Sequence, residues 1–564
     1  MNPLLLTDFY KVHHHRMYPE GTTMIYSNLT PRKSRMKNVN EVVVFGIQHF
    51  ILEYLIKKFN EEFFCHRDED LKGAEADYKH EDKKQMLEEY ARHAGAGIDI
   101  KHISDLFDLG YLPIEIKALP EGTRCPIGVP MLTIKNTHPD FAWLVNYLET
   151  LMSCMLWQPM TSATIAYEYK KLLSKYALET TGSADFVQWQ GHDFSMRGMS
   201  SVDSAILSSM GHLTSFTGTD TIPAIYQLEK SYRAKGLIGA SVPATEHSVM
   251  CMGTKDDEIG TFKRLLDLYP TGILSVVSDT WNLWDVLTEY LPKIKKEVLA
   301  RDGKLVIRPD SGNPVDIICG IKTLNEIPSR YDLMSLGKCV VGNTLYMFDH
   351  DHYQECLEEF GENSVWEGPP DDFIIETDIS TSESKGVIEL LWDIFGGTIN
   401  EQGYRVLDSH IGAIYGDSIT LDRAEQICKR LKAKGFASTN IVLGIGSYTY
   451  QYNTRDTFGF AIKATYGEVE ITDYHPSQSP EALEPMSWTE GREIFKDPIT
   501  DDGTKKSKKG LLCVVGNETG FGPIQVVDQC TWEQEGRGLL QTVFKDGKLI
   551  KETTLEEIRE KLKV

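Results

Sequence analysis

Seven strand-like runs in the middle of the chain each end in polar or glycine residues that packing of a strand does not require. The runs are "FVQWQGHDFSMRG" (186–198), "LTSFTGTD" (213–220), "GASVPATEH" (239–247), "GILSVVSD" (272–279), "KLVIRPDSG" (304–312), "HIGAIYGD" (410–417) and "NIVLGIGS" (440–447). Helical periodicity over 255–268, 281–299 and 420–434 lies between them. Strands and helices therefore alternate at roughly 30-residue intervals, which predicts an α/β fold.

Units of this kind are typical of a β/α barrel or a large part of one, in which functional residues lie at the carboxyl ends of the strands. A doubly wound open sheet is the alternative, and it also binds ligands at strand carboxyl ends. The interval between 310 and 417 is longer than the others and predicts an insertion at about 318–409. We therefore expect an incomplete or irregular β/α barrel over 181–450.

The segments on either side of this barrel show a different pattern. Residues 41–60 begin as a β-branched run and continue as an amphipathic helix, and 110–135 alternate short strand-like runs with Pro and Gly. We expect 1–180 to form an α+β segment. Its sheet is expected to pack with the C-terminal segment 451–564, giving an additional α+β sheet domain.

Charge and cysteine usage exclude several classes of protein. The chain carries 59 Lys and Arg against 82 Asp and Glu, and its net charge of −23 repels nucleic acid and anionic membranes. Its ten cysteines are scattered without a CxxC pair, which indicates reduced core thiols. The first apolar run is too short for a signal peptide, and no segment of membrane length is free of charge. We expect a cytoplasmic protein with no nucleic-acid or membrane partner.

Polar side chains at the strand ends are the candidate functional residues. Either α/β architecture would aim the following at one rim: Arg197, Asp220, His247, Asp279, Arg308, Asp310 and Asp417. Arg308 offers a planar fork for a carbonyl, carboxylate or phosphate, and Asp310 can accept from ribose hydroxyls or reach a hydrated Mg²⁺. Separate surface turns are the alternative interpretation.

Two glycine-containing turns and one histidine suggest phosphate chemistry. "YGDS" (415–418) and "GIGS" (444–447) place glycines where backbone N–H groups can approach a phosphate, although neither matches a P-loop or GxGxxG pattern. Asp279 could accept from one nitrogen of His247 and leave the other free to attack a phosphoryl group. A structural histidine with satisfied hydrogen bonds is the alternative.

Nine motifs together carry a resemblance to a known family. They are "LLTDFYKVHHHRMYP", "HDFSMRG", "FTGTDT", "SVPATEHS", "SVVSDTWN", "VIRPDSGNP", "IYGDSI", "TRDTFGFAIKATYG" and "FKDPITDDGTKKSKKG". They follow one another in the family's order from near the N-terminus to the C-terminal region. With them the chain resembles the nicotinamide phosphoribosyltransferases, which are type II phosphoribosyltransferases.

The resemblance implies a reaction and its cofactors. Nicotinamide and 5-phosphoribosyl pyrophosphate would give nicotinamide mononucleotide and pyrophosphate for NAD salvage, with Mg²⁺ held mainly through the pyrophosphate. ATP would be a co-substrate, hydrolysed through a phosphohistidine at His247. Asp279, Asp310 and Arg308 would complete the catalytic set. A nicotinate phosphoribosyltransferase and a noncatalytic nucleotide-binding relative are the alternatives.

The resemblance also assigns substrate contacts. Phe194 would cover one face of the nicotinamide ring, Asp220 would accept from the carboxamide NH₂, and Arg308 would donate to the carboxamide oxygen. Because nicotinate would bring a carboxylate against Asp220, nicotinamide is the expected substrate. The further substrate-binding residues implied by the resemblance are Tyr10, Arg197, Ser241, Val242, Ala244, Ser275, Asp310, Gly416, Asp417, Gly444 and Gly446.

A homodimer with shared active sites is the implied assembly. In the family, the second subunit covers the other face of the ring and binds phosphate. The positions of this chain that match those contributions are Asp8, Tyr10, Arg455, Lys463, Lys496 and Lys505.

Overall fold

The computed structural model describes residues 1–65, 75–95, 97–360, 373–416, 418–473, 486–497, 499–500, 508–516 and 524–564. The strands of these residues are β1 (Thr22–Pro31), β2 (Glu41–Val43), β3 (Ile114–Ala118), β4 (Arg124–Pro126), β5 (Leu132–Asn136), β6 (Gly191–Asp193), β7 (Gly218–Thr219), β8 (Thr271–Val277), β9 (Asp302–Arg308), β10 (Thr323–Leu324), β11 (Lys338–Val341), β12 (Thr344–Phe348), β13 (Ile374–Asp378), β14 (Gly397–Ile399), β15 (Arg405–Leu407), β16 (Ile411–Tyr415), β17 (Ile441–Ile445), β18 (Phe460–Asp473), β19 (Met486–Glu493), β20 (Leu511–Val515), β21 (Gln525–Cys530), β22 (Gln541–Lys545) and β23 (Lys548–Leu549).

The helices are α1 (Ile47–Phe50), α2 (Phe59–Glu62), α3 (Glu75–Ala94), α4 (Lys101–Leu109), α5 (Ala142–Tyr147), α6 (Glu149–Thr181), α7 (Val187–Gln190), α8 (Val202–His212), α9 (Ile222–Tyr232), α10 (His247–Met252), α11 (Glu258–Leu268), α12 (Leu283–Asp285), α13 (Leu291–Ala300), α14 (Pro314–Cys319), α15 (Arg330–Leu336), α16 (His350–Phe360), α17 (Thr381–Lys385), α18 (Val387–Phe395), α19 (Leu421–Ala433), α20 (Ser447–Gln451), α21 (Trp532–Gly536) and α22 (Leu555–Lys561). π-Helical turns at Ile51–Lys58 and Val286–Tyr290 join α1 to α2 and α12 to α13.

Six parallel strands form a curled sheet in the order β7-β6-β17-β16-β9-β8. The segment between β7 and β8 closes the circuit, because Ala240 bridges to Gly218 and Ala244 bridges to Ser275, both in parallel. The strands therefore run around a ring instead of ending at two edges. The prediction of an irregular β/α barrel is confirmed.

The closing segment is shorter and less regular than its sequence predicts. The run 239–247 was expected to be a strand, but it makes two isolated bridges. Pro243 has no N–H to donate to a ladder, although its carbonyl still accepts from the Ser275 N–H at 2.9 Å. The runs at 186–198 and 213–220 likewise contribute only the short strands β6 and β7.

The barrel strands are apolar because both of their faces are covered. All residues of β16 are buried, and β8, β9 and β17 bury their carboxyl-terminal halves. Side chains of α11, α13, α18 and α19 complete the same core. Parallel strands covered by helices on the outside have this near-continuous apolar pattern.

A second sheet combines both ends of the chain. Its order is β19-β18-β1-β5-β3-β22-β23, and all its pairings are antiparallel. The longest pairing joins β1 near the N-terminus to β18 near the C-terminus. The expected additional α+β sheet domain from the N- and C-terminal segments is therefore confirmed.

Helix α6 connects the two sheets. It has 33 residues; Leu151 and Met160 lie in the core beneath the antiparallel sheet, whereas Tyr169 and Leu173 lie in the barrel core. One continuous helix thus packs into both parts of the molecule. The domain boundaries at 180 and 450 stay predictions.

The long interval between β9 and β16 contains a small sheet of its own, in the order β10-β11-β12-β13. Leu333, Cys339, Tyr346, Phe348 and Phe373 form its core. It lies within the insertion predicted at about 318–409.

All ten cysteines are unpaired, as expected, but they are not all core thiols, because Cys154 and Cys251 are exposed. Among the residues that the structure describes, no helix is both long and apolar enough to cross a membrane.

Candidate active site at the carboxyl ends of the barrel strands

Asp220 directly follows β7, and two side chains hold its carboxylate. Nε2 of His192, on the neighbouring strand β6, lies 2.9 Å from Oδ1 of Asp220. The Ser241 hydroxyl donates to the same oxygen at 2.6 Å. Burial opposes the charge of this carboxylate, but the hydrogen bonds from His192 and Ser241 outweigh it and hold the pKa of Asp220 below its usual value. Asp220 is therefore an ionised acceptor at neutral pH.

An aromatic ring and a guanidinium lie next to this carboxylate. Phe194 follows β6, and the centroid of its ring lies 4.4 Å from that of His192 and 5.0 Å from Cζ of Arg308. Arg308 ends β9 and is 9% exposed, and its Nε has no hydrogen-bond partner in the described part of the chain. Because an unpaired buried donor is costly, this side chain is suited to receive a ligand oxygen.

Phe194, Arg197 and Asp220 line a cavity of about 500 Å³ at this end of the barrel. Its other lining residues are Met196, Met199, Ser201 and Val202. Apolar walls with a few polar groups are typical of sites that bind small molecules.

His247 begins α10, and its side chain is half exposed. Nδ1 of the ring lies 3.1 Å from Oγ1 of Thr280, and Nε2 lies 3.9 Å from Oδ2 of Asp310. The expected hydrogen bond from His247 to Asp279 is not formed, because Thr280, the next residue, occupies that place. One nitrogen of the ring is anchored, and the other faces the turn after β9.

Asp279 holds that turn. Its Oδ2 accepts from the backbone N–H groups of Asp310 and Ser311, both at 2.7 Å, and from the Ser311 hydroxyl at 2.6 Å. These three donors account for the orientation of the carboxylate away from His247. Oδ1 of Asp279 is buried without a partner among the described residues. Asp279 therefore positions Asp310.

Gly416 and Gly444 lie where the strand ends approach too closely for a side chain. A Cβ at Gly416 would lie 2.4 Å from Oδ1 of Asp310 and 2.8 Å from Nε of Arg308. A Cβ at Gly444 would lie 2.5 Å from a backbone oxygen at the end of β16. The absence of a side chain at Gly416 leaves room for Arg308 and Asp310, and its absence at Gly444 leaves room for the backbone at the end of β16.

The other residues predicted on the barrel lie close to this rim or outside the described residues. Ala244 bridges to Ser275 of β8, and Val242 belongs to the same closing segment. Gly446 follows β17 in an extended conformation, with φ −90°. Asp417 lies outside the described residues.

The positions predicted to serve a second subunit lie off the barrel strands. Asp8 and Tyr10 belong to the N-terminal segment, where Asp8 accepts from the Thr150 hydroxyl at 2.7 Å and Tyr10 is 61% exposed. Lys505 lies outside the described residues. The structure thus leaves the Tyr10 ring largely open to solvent.

Three of those positions form a basic cluster. Lys463 lies on β18, and burial lowers its pKa; the negative charge of Glu149 opposes this shift, and the positive charges of Arg32, Lys496 and Arg455 add to it. A concentration of positive charge on a chain of net charge −23 is suited to a small anion.

Sequence reasoning missed three side chains of the site: His192, Thr280 and Asp193. Asp193 is fully buried, and its Oδ2 accepts from the hydroxyls of Ser209 at 2.6 Å and Thr219 at 2.8 Å, which fixes the ends of β6 and β7. The available signal was the polar pair "HD" at the end of an apolar run.

Comparison with known proteins places these features in a family. Residues 189–548 match the sequence profile described as the nicotinate phosphoribosyltransferase (NAPRTase) family, and residues 2–93 match that of the nicotinamide phosphoribosyltransferase N-terminal domain. A nicotinamide phosphoribosyltransferase of Acinetobacter baylyi is 45% identical, over 100% of this chain and 97% of its own length. One of Mycoplasma pneumoniae is 34% identical, over 85% of this chain and 92% of its own.

A solved structure of human nicotinic acid phosphoribosyltransferase superposes with a TM-score of 0.44 at 13% identity, covering 99% of this chain and 92% of that one. The family assignment comes from the sequence matches, which span both the barrel and the flanking sheet. The chain therefore belongs to the nicotinate phosphoribosyltransferase family and is a phosphoribosyltransferase, an enzyme of the pentosyltransferase class.

Proposed function

We propose that this enzyme transfers the phosphoribosyl group of 5-phosphoribosyl pyrophosphate to nicotinamide, forming nicotinamide mononucleotide and pyrophosphate. The transfer is coupled to ATP hydrolysis through a phosphohistidine at His247 and serves NAD salvage. The ten unpaired cysteines agree with a reaction in the reducing cytoplasm.

The observation that carries the choice of nicotinamide is the ionised state of Asp220 in a mainly apolar cavity. Its Oδ1 is held by His192 and Ser241, and the residue lines the same cavity as Phe194. A carboxamide can donate an N–H to this carboxylate, whereas the carboxylate of nicotinate would be repelled by it. The Nε of Arg308, which has no hydrogen-bond partner among the described residues, would donate to the carboxamide oxygen.

The transfer itself needs little proton chemistry from the protein. The lone pair of the pyridine nitrogen forms the new bond to C1 of the ribose, and the bond from C1 to the pyrophosphate oxygen breaks, with its electron pair leaving on pyrophosphate. Because the ring nitrogen carries no proton, no general base is required. Phe194 and Asp220 orient the ring, and catalysis depends on positioning and electrostatics.

Magnesium binding through the pyrophosphate fits the residues present. Among the described residues, no group of three or more His, Cys, Asp and Glu side chains is arranged to hold a metal ion. The carboxylate of Asp310 is 27% exposed at the rim and can supply one ligand. Mg²⁺ typically binds through one or two carboxylates together with substrate phosphates, and it would neutralise charge on the leaving pyrophosphate.

The contacts of His247 suit a phosphoryl acceptor. A proton on Nδ1, donated to Thr280, leaves the lone pair on Nε2, and the side chain is half exposed. Nε2 would bond to the γ-phosphorus of ATP as the bond to the β,γ-bridging oxygen breaks, releasing ADP. Water would later displace the histidine and release phosphate.

A homodimer with shared active sites accounts for the residues that lie off the barrel. Tyr10 is exposed, and Arg455, Lys463 and Lys496 form a basic cluster on the part of the molecule that carries the antiparallel sheet. The Tyr10 ring of a second copy could cover the nicotinamide bound by the first copy, opposite Phe194, and the basic cluster of the second copy could hold phosphate.

A substrate comparison tests the proposal. The purified chain is incubated with 5-phosphoribosyl pyrophosphate, Mg²⁺ and ATP, and product formation is measured with nicotinamide and with nicotinate. We expect kcat/KM to be larger for nicotinamide by about a hundredfold or more. Preference for nicotinate would support a nicotinate phosphoribosyltransferase instead, and absence of pyrophosphate release with either substrate would support a noncatalytic relative.

A further inference from the structure

We infer that His192 is a positioning residue that fixes which oxygen of Asp220 meets the substrate amide. This inference rests on the proposed function, since it concerns the recognition of nicotinamide. It assigns to His192 a role that acts entirely through Asp220.

The two oxygens of the Asp220 carboxylate have different surroundings. Within the described residues, the hydrogen bonds to Asp220 from His192 and Ser241 both end on Oδ1, at 2.9 and 2.6 Å. Oδ2 is therefore the oxygen available to a ligand. The side chain is 45% exposed and lines the cavity next to Phe194, so a ligand can reach that oxygen.

The hydrogen bond to Asp220 determines where the His192 imidazole carries its proton. An ionised carboxylate can only accept, so Nε2 of His192 must carry a proton and donate it. Nδ1 faces Gly218 on the adjacent strand, where a Cβ would lie 2.7 Å from that nitrogen. The glycine at this position leaves room for the imidazole beside β7, with Nε2 within hydrogen-bonding distance of Asp220.

The His192 imidazole also contacts the aromatic side of the cavity. The His192 and Phe194 ring centroids are 4.4 Å apart with an interplanar angle of 33°. The same imidazole thus supports the aromatic wall and turns the carboxylate toward it. Loss of the imidazole would let Asp220 rotate and would remove a donor that stabilises its charge.

The test compares the full-length wild type with His192→Leu and His192→Gln. Leucine removes the donor, whereas glutamine can place an N–H close to the position of Nε2. We expect His192→Leu to raise KM for nicotinamide by about tenfold or more, because a hydrogen bond to a charged acceptor is lost. KM for 5-phosphoribosyl pyrophosphate should stay within about twofold, and the acid limb of kcat/KM for nicotinamide should move to higher pH.

Rescue by the conservative variant separates positioning from a general packing role. His192→Gln should return KM for nicotinamide to within about threefold of wild type. Ser241→Ala removes the other donor to Oδ1 and should change the same quantities in the same direction, which keeps the test open if His192→Leu does not fold. His93→Leu, at an exposed position on α3, is the matched control. It should leave both KM values and the acid limb of kcat/KM unchanged.

The outcomes distinguish this inference from the proposed function. Suppose that the wild type is active on nicotinamide. The role of His192 alone is then overturned if His192→Leu keeps the wild-type KM for nicotinamide, or if it loses affinity equally for nicotinamide and 5-phosphoribosyl pyrophosphate. A glutamine variant no better than the leucine variant would do the same. A wild type that does not use nicotinamide would overturn both the inference and the proposed function.

Discussion

Nδ1 of His247 is hydrogen-bonded to Oγ1 of Thr280 at 3.1 Å, at the carboxyl-terminal side of β8. The hydroxyl of Thr280 fixes the rotation of the ring, and Nε2 faces Asp310 at 3.9 Å. This pair links the proposed phosphoryl acceptor to the end of β8, the strand that pairs with β9.

We expect His247→Ala to abolish ATP hydrolysis and to leave residual phosphoribosyl transfer, because the ring nitrogen is the proposed nucleophile but does not contact nicotinamide. Release of ADP and formation of nicotinamide mononucleotide are measured in parallel. Thr280→Val, which keeps the shape and removes the hydroxyl, should lower ATP hydrolysis by about tenfold. Thr288→Val, on the π-helical turn between α12 and α13, serves as the control. An unchanged ATPase in His247→Ala would contradict the proposed phosphohistidine.

Asp220→Asn should narrow the preference for nicotinamide over nicotinate. The substitution removes the charge that repels nicotinate but keeps the size of the side chain, so the ratio of the two kcat/KM values should fall by about tenfold or more. Affinity for 5-phosphoribosyl pyrophosphate should change much less. The exposed Asp267→Asn is the control. Retention of the wild-type ratio would show that Asp220 does not discriminate between the two substrates.

Gly416→Ala should impair catalysis through Arg308 and Asp310. A methyl group at this position would lie 2.4 Å from Oδ1 of Asp310, so the carboxylate or the strand end must move. Overpacking of this kind costs about 1–3 kcal/mol, and we expect kcat/KM to fall by about tenfold or more while the protein still folds. Gly536→Ala is the comparison, because a methyl group at that position would meet no atom within 4 Å among the described residues. Wild-type activity in Gly416→Ala would show that a displacement of the Asp310 carboxylate or of the strand end does not affect catalysis.

Glu121 should make stability depend on pH. Its carboxyl is buried and accepts from the Gln48 and Gly46 N–H groups and the Tyr232 hydroxyl; burial nevertheless raises its pKa from 4.5 to about 7. The folded state therefore binds this proton more tightly than the unfolded state. The contribution of Glu121 protonation to the free energy of unfolding is fully present below about pH 4.5 and is lost as the pH rises to about 7. The change in that free energy is on the order of 3 kcal/mol.

Glu121→Gln resembles the protonated form and removes this titration. Melting temperatures of wild type and variant are compared at pH 5 and pH 8, and the variant should gain relative to wild type at the higher pH. Glu20→Gln, at an exposed position, should show no such difference. A difference between wild type and Glu121→Gln that is the same at both pH values would show that Glu121 does not titrate in this range.

The parts of the fold that follow from local patterns could be predicted from the sequence. The alternation of apolar runs and helices predicts the barrel, and the predicted helix 420–434 corresponds to α19 (Leu421–Ala433). Strand ends could be located because polar residues interrupt the apolar runs, as at Asp220 and Asp310. The irregular closure through Ala240 and Ala244 could not be predicted, since isolated bridges depend on tertiary contacts and not on propensity.

For the site, the sequence does not show which partner each side chain contacts. The sequence suggested that His247 pairs with Asp279, yet the backbone N–H groups of Asp310 and Ser311, about thirty residues away, take that carboxylate. The contact of His192 with Asp220 depends on the register of β6 against β7, which a single sequence does not encode in any local pattern.

The long helix α6 has a consequence for how the protein can be divided. At about 1.5 Å per residue it is about 50 Å long, and its two ends are buried in different cores. A cut near its middle would place β1, β3 and β5 on one fragment and β18 and β22 on the other, so neither fragment could form the antiparallel sheet that covers the first half of α6. Neither fragment is therefore expected to be stable as an autonomous unit, and the molecule should unfold cooperatively across both sheets.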